Sequence, residues 1–261
     1  MRPALDLTGR RLLAVFAHPD DEAYAAAGTL ALCAAAGARV EVAALTRGEA
    51  GADLHTGLAP GAALGRKRAA ELRAACRRIG AQPPRLLGLT DGQLAAVGDA
   101  TGRAVVAELL AALQPQVVLG ADAAGVYGHR DHRCCHRWLC AAVAAMPAAR
   151  RPRLLLAAFP RGLLDGFARK LARSPHGRLL DPAPAGGFGI ERVAADLVVD
   201  VRPLRDTKRA ALAAHRSQLA DGRPESFVLP GIAGPLLAEE WFTLAAGPPL
   251  PAGATHPFTG L

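Results

Sequence analysis

Twice in this chain a short apolar run stops at a cluster of histidine and carboxylate side chains and gives way at once to a helix-forming segment. The first case is residues 11–16, then Ala17-His18-Pro19-Asp20-Asp21-Glu22, then the alanine-rich stretch 23–36, a composition that favours helix. The second is residues 116–120, then a loop ending in Gly125-Val126-Tyr127-Gly128-His129-Arg130-Asp131-His132, then 133–146. Repeated strand, polar turn and helix join parallel strands and leave both clusters on one rim, where open α/β sheets bind ligands. Pro19 restricts the residue before it to extended backbone, so His18 is aimed out of the strand end. Asp20 and Asp21 are expected in the first helical turn, with His18 and Asp21 facing one point. One histidine and one carboxylate from the first cluster, with one histidine from the second, make the three-ligand set of a catalytic zinc site, which keeps a fourth position for water.

The alternation extends along the chain. Residues 39–45 read as a strand closing in Thr46-Arg47-Gly48-Glu49-Ala50-Gly51. Over 62–79 the apolar residues Leu64, Ala69, Leu72, Cys76 and Ile79 recur at helical spacing, with Arg66, Lys67, Arg73, Arg77 and Arg78 on the other faces. A short strand at 85–89 precedes Thr90-Asp91-Gly92, and 101–113 reads as helix. Beyond Pro147 the pattern loosens: strand 153–159, helix 161–173, a Pro/Gly-rich loop 174–189, strand 195–201 and helix 203–219 with proline at its start. Residues 224–261 carry seven prolines and one short helical candidate, at 236–242. The expectation is an α/β fold, Rossmann-like, with a mostly parallel sheet and helices on both faces. It forms a single domain over 1–261, with 220–261 a Pro-rich extension packed on it.

Composition removes several function classes. No window of about 18 strongly apolar residues is present, which argues against membrane insertion, and the chain enters strand and motif straight after Arg10-Arg11, without room for a cleaved signal. Five cysteines, Cys33, Cys76, Cys134, Cys135 and Cys140, are an odd number without a spaced framework and suit reduced thiols in a cytoplasmic protein. The net charge of +8 comes from scattered arginines, 28 of the 31 basic residues, while aromatics make up 4%. That composition does not describe a nucleic-acid binder. The oligomeric state, including a homo-oligomer, is left open.

The pairing of Ala17-His18-Pro19-Asp20-Asp21-Glu22 with Gly128-His129-Arg130-Asp131-His132 resembles the LmbE-like (PIG-L) zinc-dependent de-N-acetylase family, which includes amino-sugar deacetylases of the mycothiol and bacillithiol pathways. Thr46-Arg47-Gly48-Glu49, Asp91-Gly92, Lys208 and His215-Arg216-Ser217-Gln218 agree in order. The resemblance spans roughly residues 12–218. It implies that His18, Asp21 and His132 bind the metal, Zn2+ first, with Fe2+ or another divalent ion as substitutes. Asp20 is then the general base, His129 the group facing the oxyanion or leaving amine, and Asp131 the orienter of a catalytic histidine. Arg47, Asp91, Tyr127 and His215 are implied substrate contacts. The implied reaction removes an N-acyl group, foremost N-acetyl, from an amino-sugar small-molecule conjugate. Alternatives are a larger thiol conjugate or acylated antibiotic glycoside, and a non-catalytic metal- or sugar-binding descendant.

Some readings stay open at this level. Glu22 serves either to support the metal shell or as a solvated or capping carboxylate. Tyr127 is either near the oxyanion or simply packed. His132 and His136, four apart on a helix, form a competing chelate that would displace Asp21. The cysteines read as small buried apolar groups. His55, His176 and His256 are assigned no role.

Overall fold

The computed structural model describes residues 5–224 and 232–261. Its seven strands are β1 (Arg11–Phe16), β2 (Arg39–Ala44), β3 (Arg85–Leu86), β4 (Val117–Ala121), β5 (Arg153–Ala158), β6 (Leu197–Asp200) and β7 (Glu239–Ala246). They form one sheet in the order β3-β2-β1-β4-β5-β7-β6. The first five are parallel neighbours, and β7 runs antiparallel to both β5 and β6. β1 has β2 on one side and β4 on the other, so the winding reverses between β1 and β4 and opens a crevice at their carboxyl ends. Apolar runs such as Val117-Val118-Leu119 suit strands covered on both faces.

The helices are α1 (Asp21–Ala25), α2 (Ala27–Ala35), α3 (Ala62–Ile79), α4 (Leu94–Val97), α5 (Asp99–Leu113), the single distorted turn α6 (Gly125–Gly128), α7 (Arg130–Ala144), α8 (Asp165–Ala172), α9 (Arg205–Ala214) and α10 (Ala233–Leu236). On one face of the sheet, Leu30, Leu72 and Leu212 of α2, α3 and α9 pack with Leu12, Ala14 and Phe16. On the other, Val106 and Leu110 of α5 and Trp138 and Leu139 of α7 pack with Leu13 and Val15. The two strand faces alternate residue by residue, as the period of two requires. Helices α5 and α7 approach closely at Gly102, where a Cβ would lie 2.1 Å from the Trp138 indole.

The expected Rossmann-like α/β sheet with helices on both faces is present, with local differences that have physical causes. The helix expected over 23–36 breaks at Ala26, whose φ of −150° is not helical. Asp20 is not in the first helical turn but precedes it with φ 116°. The helix expected over 203–219 is α9 flanked by short 3-10 turns, with His215 outside helical geometry at ψ 56°.

The helical candidate at 236–242 is instead mostly β7, an interior strand, so the segment expected as an extension supplies a member of the sheet. Its Glu240 is buried and accepts from Gly28 N at 2.8 Å and Thr29 N at 2.7 Å, satisfying free N–H groups in the first turn of α2. Lys208 Nζ pairs with Glu240 Oε1 at 2.6 Å and donates to the Tyr24 carbonyl at 2.9 Å. Farther on, the buried Arg153 donates to the carbonyls of Pro248, Pro249, Pro257 and Thr259, pinning the last residues against β5.

Candidate functional site

The carboxyl end of β1 carries four titratable side chains in five positions, and each has a separate partner. Asp21 accepts from the His18 backbone N–H at 2.9 Å and from the Tyr24 hydroxyl at 2.7 Å, which fixes its carboxylate at the strand end. Asp20 sits 3.0 Å from Arg68 Nη2, and Arg68 also donates to the carbonyls of Pro19 and Gly48. Glu22 accepts from the Asp20 N–H at 3.0 Å and pairs with His215 Nε2 at 2.7 Å. The left-handed backbone of Asp20 is thus gripped from the carboxylate, from the N–H and from the preceding carbonyl. Strain of this kind, on the order of 1–3 kcal/mol, persists where surrounding contacts over-determine it.

The carboxyl end of β4 is held largely through backbone atoms. Val126 adopts φ 67° and ψ −64°, a costly conformation for a β-branched residue, with its N–H on Asp122 Oδ1 at 2.8 Å. His132 Nδ1 lies 3.2 Å from the Gly125 carbonyl, which can only accept, so the proton is on Nδ1 and the Nε2 lone pair is free. His129 Nδ1 lies 3.2 Å from the Asp131 backbone N–H, which can only donate, so in the neutral ring the proton is on Nε2. The Asp131 carboxylate accepts from the backbone N–H groups of Gly92 and Leu94 and lies 3.5 Å from His18 Nε2. It approaches the ring of His18, not that of His129.

Between the two ends the donor atoms converge. His18 Nδ1 is 3.1 Å from His132 Nε2 and 3.6 Å from Asp21 Oδ2, while His132 Nε2 is 3.2 Å from Asp21 Oδ1. His18 Nε2 lies 3.0 Å from Asp91 Oδ1, buried but without the alignment of a hydrogen bond. Ligand atoms of His18, His129 and His132 also come within 4.8 Å of one another, as do those of His18, Asp91 and Asp131. Two imidazole lone pairs and a carboxylate aimed at one point, with the outer nitrogen of each ring turned to an oxygen, fit a divalent cation.

The electrostatics follow from this crowding. Burial pushes Asp20 up to about 6 despite the Arg68 guanidinium. Burial acts the same way on Asp21, but the His132 and His18 rings hold it well below the usual carboxylate range. Burial lowers His18, and the carboxylates of Asp91, Asp131 and Asp21 outweigh it and raise the ring well above its ordinary value. His129, buried beside two other imidazoles, is pushed down to about 2. The surroundings therefore favour the uncharged ring of His129. The neutral ring still carries an N–H.

These residues border a cleft of about 210 Å³, open to solvent. His18, Asp20, Asp91, Tyr127 and His129 line it, whereas Asp21, Asp131 and His132 are buried behind them. Of the substrate contacts implied by the sequence, Tyr127 and Asp91 face the cleft. Asp91 is also tied back, with Oδ2 on the Ala50 N–H at 2.8 Å. Arg47 is exposed outside the lining, and His215 is buried behind the motif against Glu22. Glu22 is neither solvated nor a simple cap. His136 turns to the Ala121 carbonyl at 3.0 Å, away from the cluster.

Sequence reasoning missed several lining residues, among them His176, to which it gave no role, and, beside Asp20, Arg68. Arg68 lies four residues from both Leu64 and Leu72, on the buried stripe of α3, and a charge on an apolar stripe was the available signal. Gln218, from the late His215-Arg216-Ser217-Gln218 run, also lines the cleft. Ser217 N–H and Oγ both donate to Glu71 of α3, which docks that run.

Residues 13–143 match the family described as GlcNAc-PI de-N-acetylase, PIG-L. A 1D-myo-inositol 2-acetamido-2-deoxy-alpha-D-glucopyranoside deacetylase of Actinosynnema mirum is 37% identical, covering 91% of this chain and 93% of its own. Among solved structures, a conserved protein of Thermus thermophilus superposes with a TM-score of 0.62 at 25% identity, covering 93% of this chain and 98% of its own. An N,N'-diacetylchitobiose deacetylase of Pyrococcus horikoshii shares the fold with a TM-score of 0.61 at 20% identity, over 90% and 83% of the two chains.

Proposed function

Because this chain belongs to the PIG-L (GlcNAc-PI de-N-acetylase) family, we propose that it is a metal-dependent amidase that removes an N-acyl group, acetyl included, from an amino-sugar small molecule. The observation that carries this reading is the convergence of His18 Nδ1, His132 Nε2 and the Asp21 carboxylate, with a carboxylate that is not part of that set, Asp20, on the cleft side. In the proposed assignment His18, Asp21 and His132 hold the ion, with zinc the first choice for two imidazoles and a carboxylate. A zinc ion bound there supplies Lewis acidity and a water acidified toward neutral pH.

The chain's own residues supply the rest. Asp20, locked by Arg68 and by Glu22, is held where it can take the proton of the attacking water. The water oxygen adds to the amide carbon. The Nε2–H of His129 faces the charge that develops on the carbonyl oxygen, and donors fixed in advance stabilise such charge without reorganisation. When the C–N bond breaks, the proton taken by Asp20 is returned to the departing nitrogen, leaving a free amine and a carboxylic acid, which gives up its remaining proton to solvent. His215 acts through Glu22 on Asp20, and Asp91 and Asp131 flank the outer nitrogen of His18, as carboxylates do behind ligating histidines. All five cysteines are free and four are buried, which supports a reducing compartment such as the cytoplasm as the place of action. Among the described residues, no helix is long and apolar enough to cross a membrane.

Amine release from a panel of N-acetylglucosamine conjugates, before and after chelation, tests the reading. Release that is lost with chelator and restored by zinc is the expected result. Chelator-insensitive release, or a metal-loaded protein that releases amine from no member, would overturn it.

A further inference from the structure

The cleft has two unlike walls. On one side stand Arg68, Asp91 and Gln218, which bring hydrogen-bonding side chains, with the 50–52 loop and Leu54 beside them. On the other, α8 and its N-cap present Leu164, Phe167 and Leu171 on one face, at the three- and four-residue spacing of a helix stripe, while Arg169 and Lys170 are exposed. Leu236 extends that wall, and Leu179, 3.5 Å from where a Cβ on Gly92 would lie, joins it to the Asp91 side, with His176 also in the lining. The α8 wall begins at the reacting centre. The Tyr127 ring lies 5.3 Å from the His132 ring and 5.1 Å from Phe167, so one aromatic side chain separates a proposed metal ligand from α8. Leu171 and Leu179 remain partly exposed inside the cleft.

Resting on the amidase reading above, we propose that this wall receives the acyl chain of the substrate, and that the protein prefers amino sugars whose N-acyl group is longer than acetyl. A polar sugar has the Arg68 and Asp91 side to bind. An apolar group attached at the scissile carbonyl meets Tyr127 and Phe167 within its first few carbons, whereas a group on the far side of the sugar starts a ring's width away. Burial of apolar surface supplies the affinity, and a fully buried methylene corresponds to roughly fourfold.

The test is kcat/KM for N-acetyl-, N-butanoyl- and N-hexanoylglucosamine and for the hexyl glycoside of N-acetylglucosamine, using zinc-loaded parent and Leu171→Asp proteins. The expected result is a rise of at least about tenfold from acetyl to hexanoyl, since four added methylenes are partly buried. That hexanoyl-to-acetyl ratio should collapse toward one in Leu171→Asp. A flat or falling series overturns the proposal, as does a gain confined to the hexyl glycoside, or a ratio that Leu171→Asp leaves unchanged. Silence toward every compound would break the amidase reading instead. Calorimetric affinities for N-hexanoyl- against N-acetylglucosamine then still report on the wall: tighter binding of the longer chain supports it, and equal binding overturns it.

Discussion

The ends of β1 and β4 turn histidines toward the same point, but they hold their side chains by opposite means. At β1 charge is held by charge: Asp20 by Arg68, Glu22 by His215, and the outer nitrogen of His18 between Asp91 and Asp131. These partners come from α3, from the end of α9, from the loop after β3 and from the first turn of α7, up to 193 residues away in sequence. At β4 the rings are held by peptide groups close by, His132 by the Gly125 carbonyl and His129 by the Asp131 N–H. The difference matters because a peptide dipole fixes a tautomer without adding charge, whereas buried carboxylates need distant cations to remain ionised. The β1 end should therefore respond to remote side-chain changes, and the β4 end to backbone changes.

The sharpest contrast sets a proposed ligand against its neighbour. His132→Ala should abolish stoichiometric metal and with it all measurable turnover, as read by metal analysis of the dialysed protein. Asp20→Asn should keep the metal and lose roughly 10²–10⁴-fold in kcat, the usual range for a general base. If the Asn variant stays active when metal-replete, Asp20 is not the base. Next comes the remote partner. His215→Asn should retain metal while kcat falls about 10–100-fold, the range for groups that orient functional residues from behind, and full activity would detach Glu22 from the chemistry.

The β4 end is probed through its backbone. Gly128 has φ 92° and a Cβ there would lie 2.5 Å from the Asp181 carbonyl oxygen, so Gly128→Ala should cost about 1–3 kcal/mol in denaturant unfolding. The smallest effect is expected at Asp181, whose carboxylate accepts from Arg130 at 2.9 Å and Arg133 at 2.6 Å. The hydrogen bond from Arg130 and the two guanidinium charges hold it below the usual carboxylate range despite slight burial. A depressed carboxylate stabilises the fold above its unfolded value near 4 and loses that contribution as pH falls through the folded value. Asp181→Asn should thus cost up to about 1 kcal/mol near neutral pH, with the two proteins converging in acid.

How far the chain could be read before its structure depended on whether partners lie close in sequence. Both clusters, the β1–β4 rim and the 62–79 helix were legible because strand, turn and helix follow one another there. Glu240 was not, because a carboxylate on the core side of β7 masks the strand's alternation, and its partners Lys208, Gly28 and Thr29 are far away. Arg68 was hidden in the same way, a charge on the apolar stripe of α3. Arg47 shows the converse: a position on the correct rim does not determine which way a side chain points, and this one faces solvent. Asp91 was found, but its tie to the Ala50 N–H and its place beside His18 were not visible in Thr90-Asp91-Gly92.

The measurement closest to the central claim is X-ray absorption at the zinc edge of the loaded protein, compared with His132→Ala. The account predicts two imidazole nitrogens with oxygen ligands at about 2.0–2.2 Å, and loss of bound zinc in the variant. A shell of three imidazoles, which the closeness of His129 to His18 and His132 would also allow, or sulfur near 2.3 Å, would contradict it.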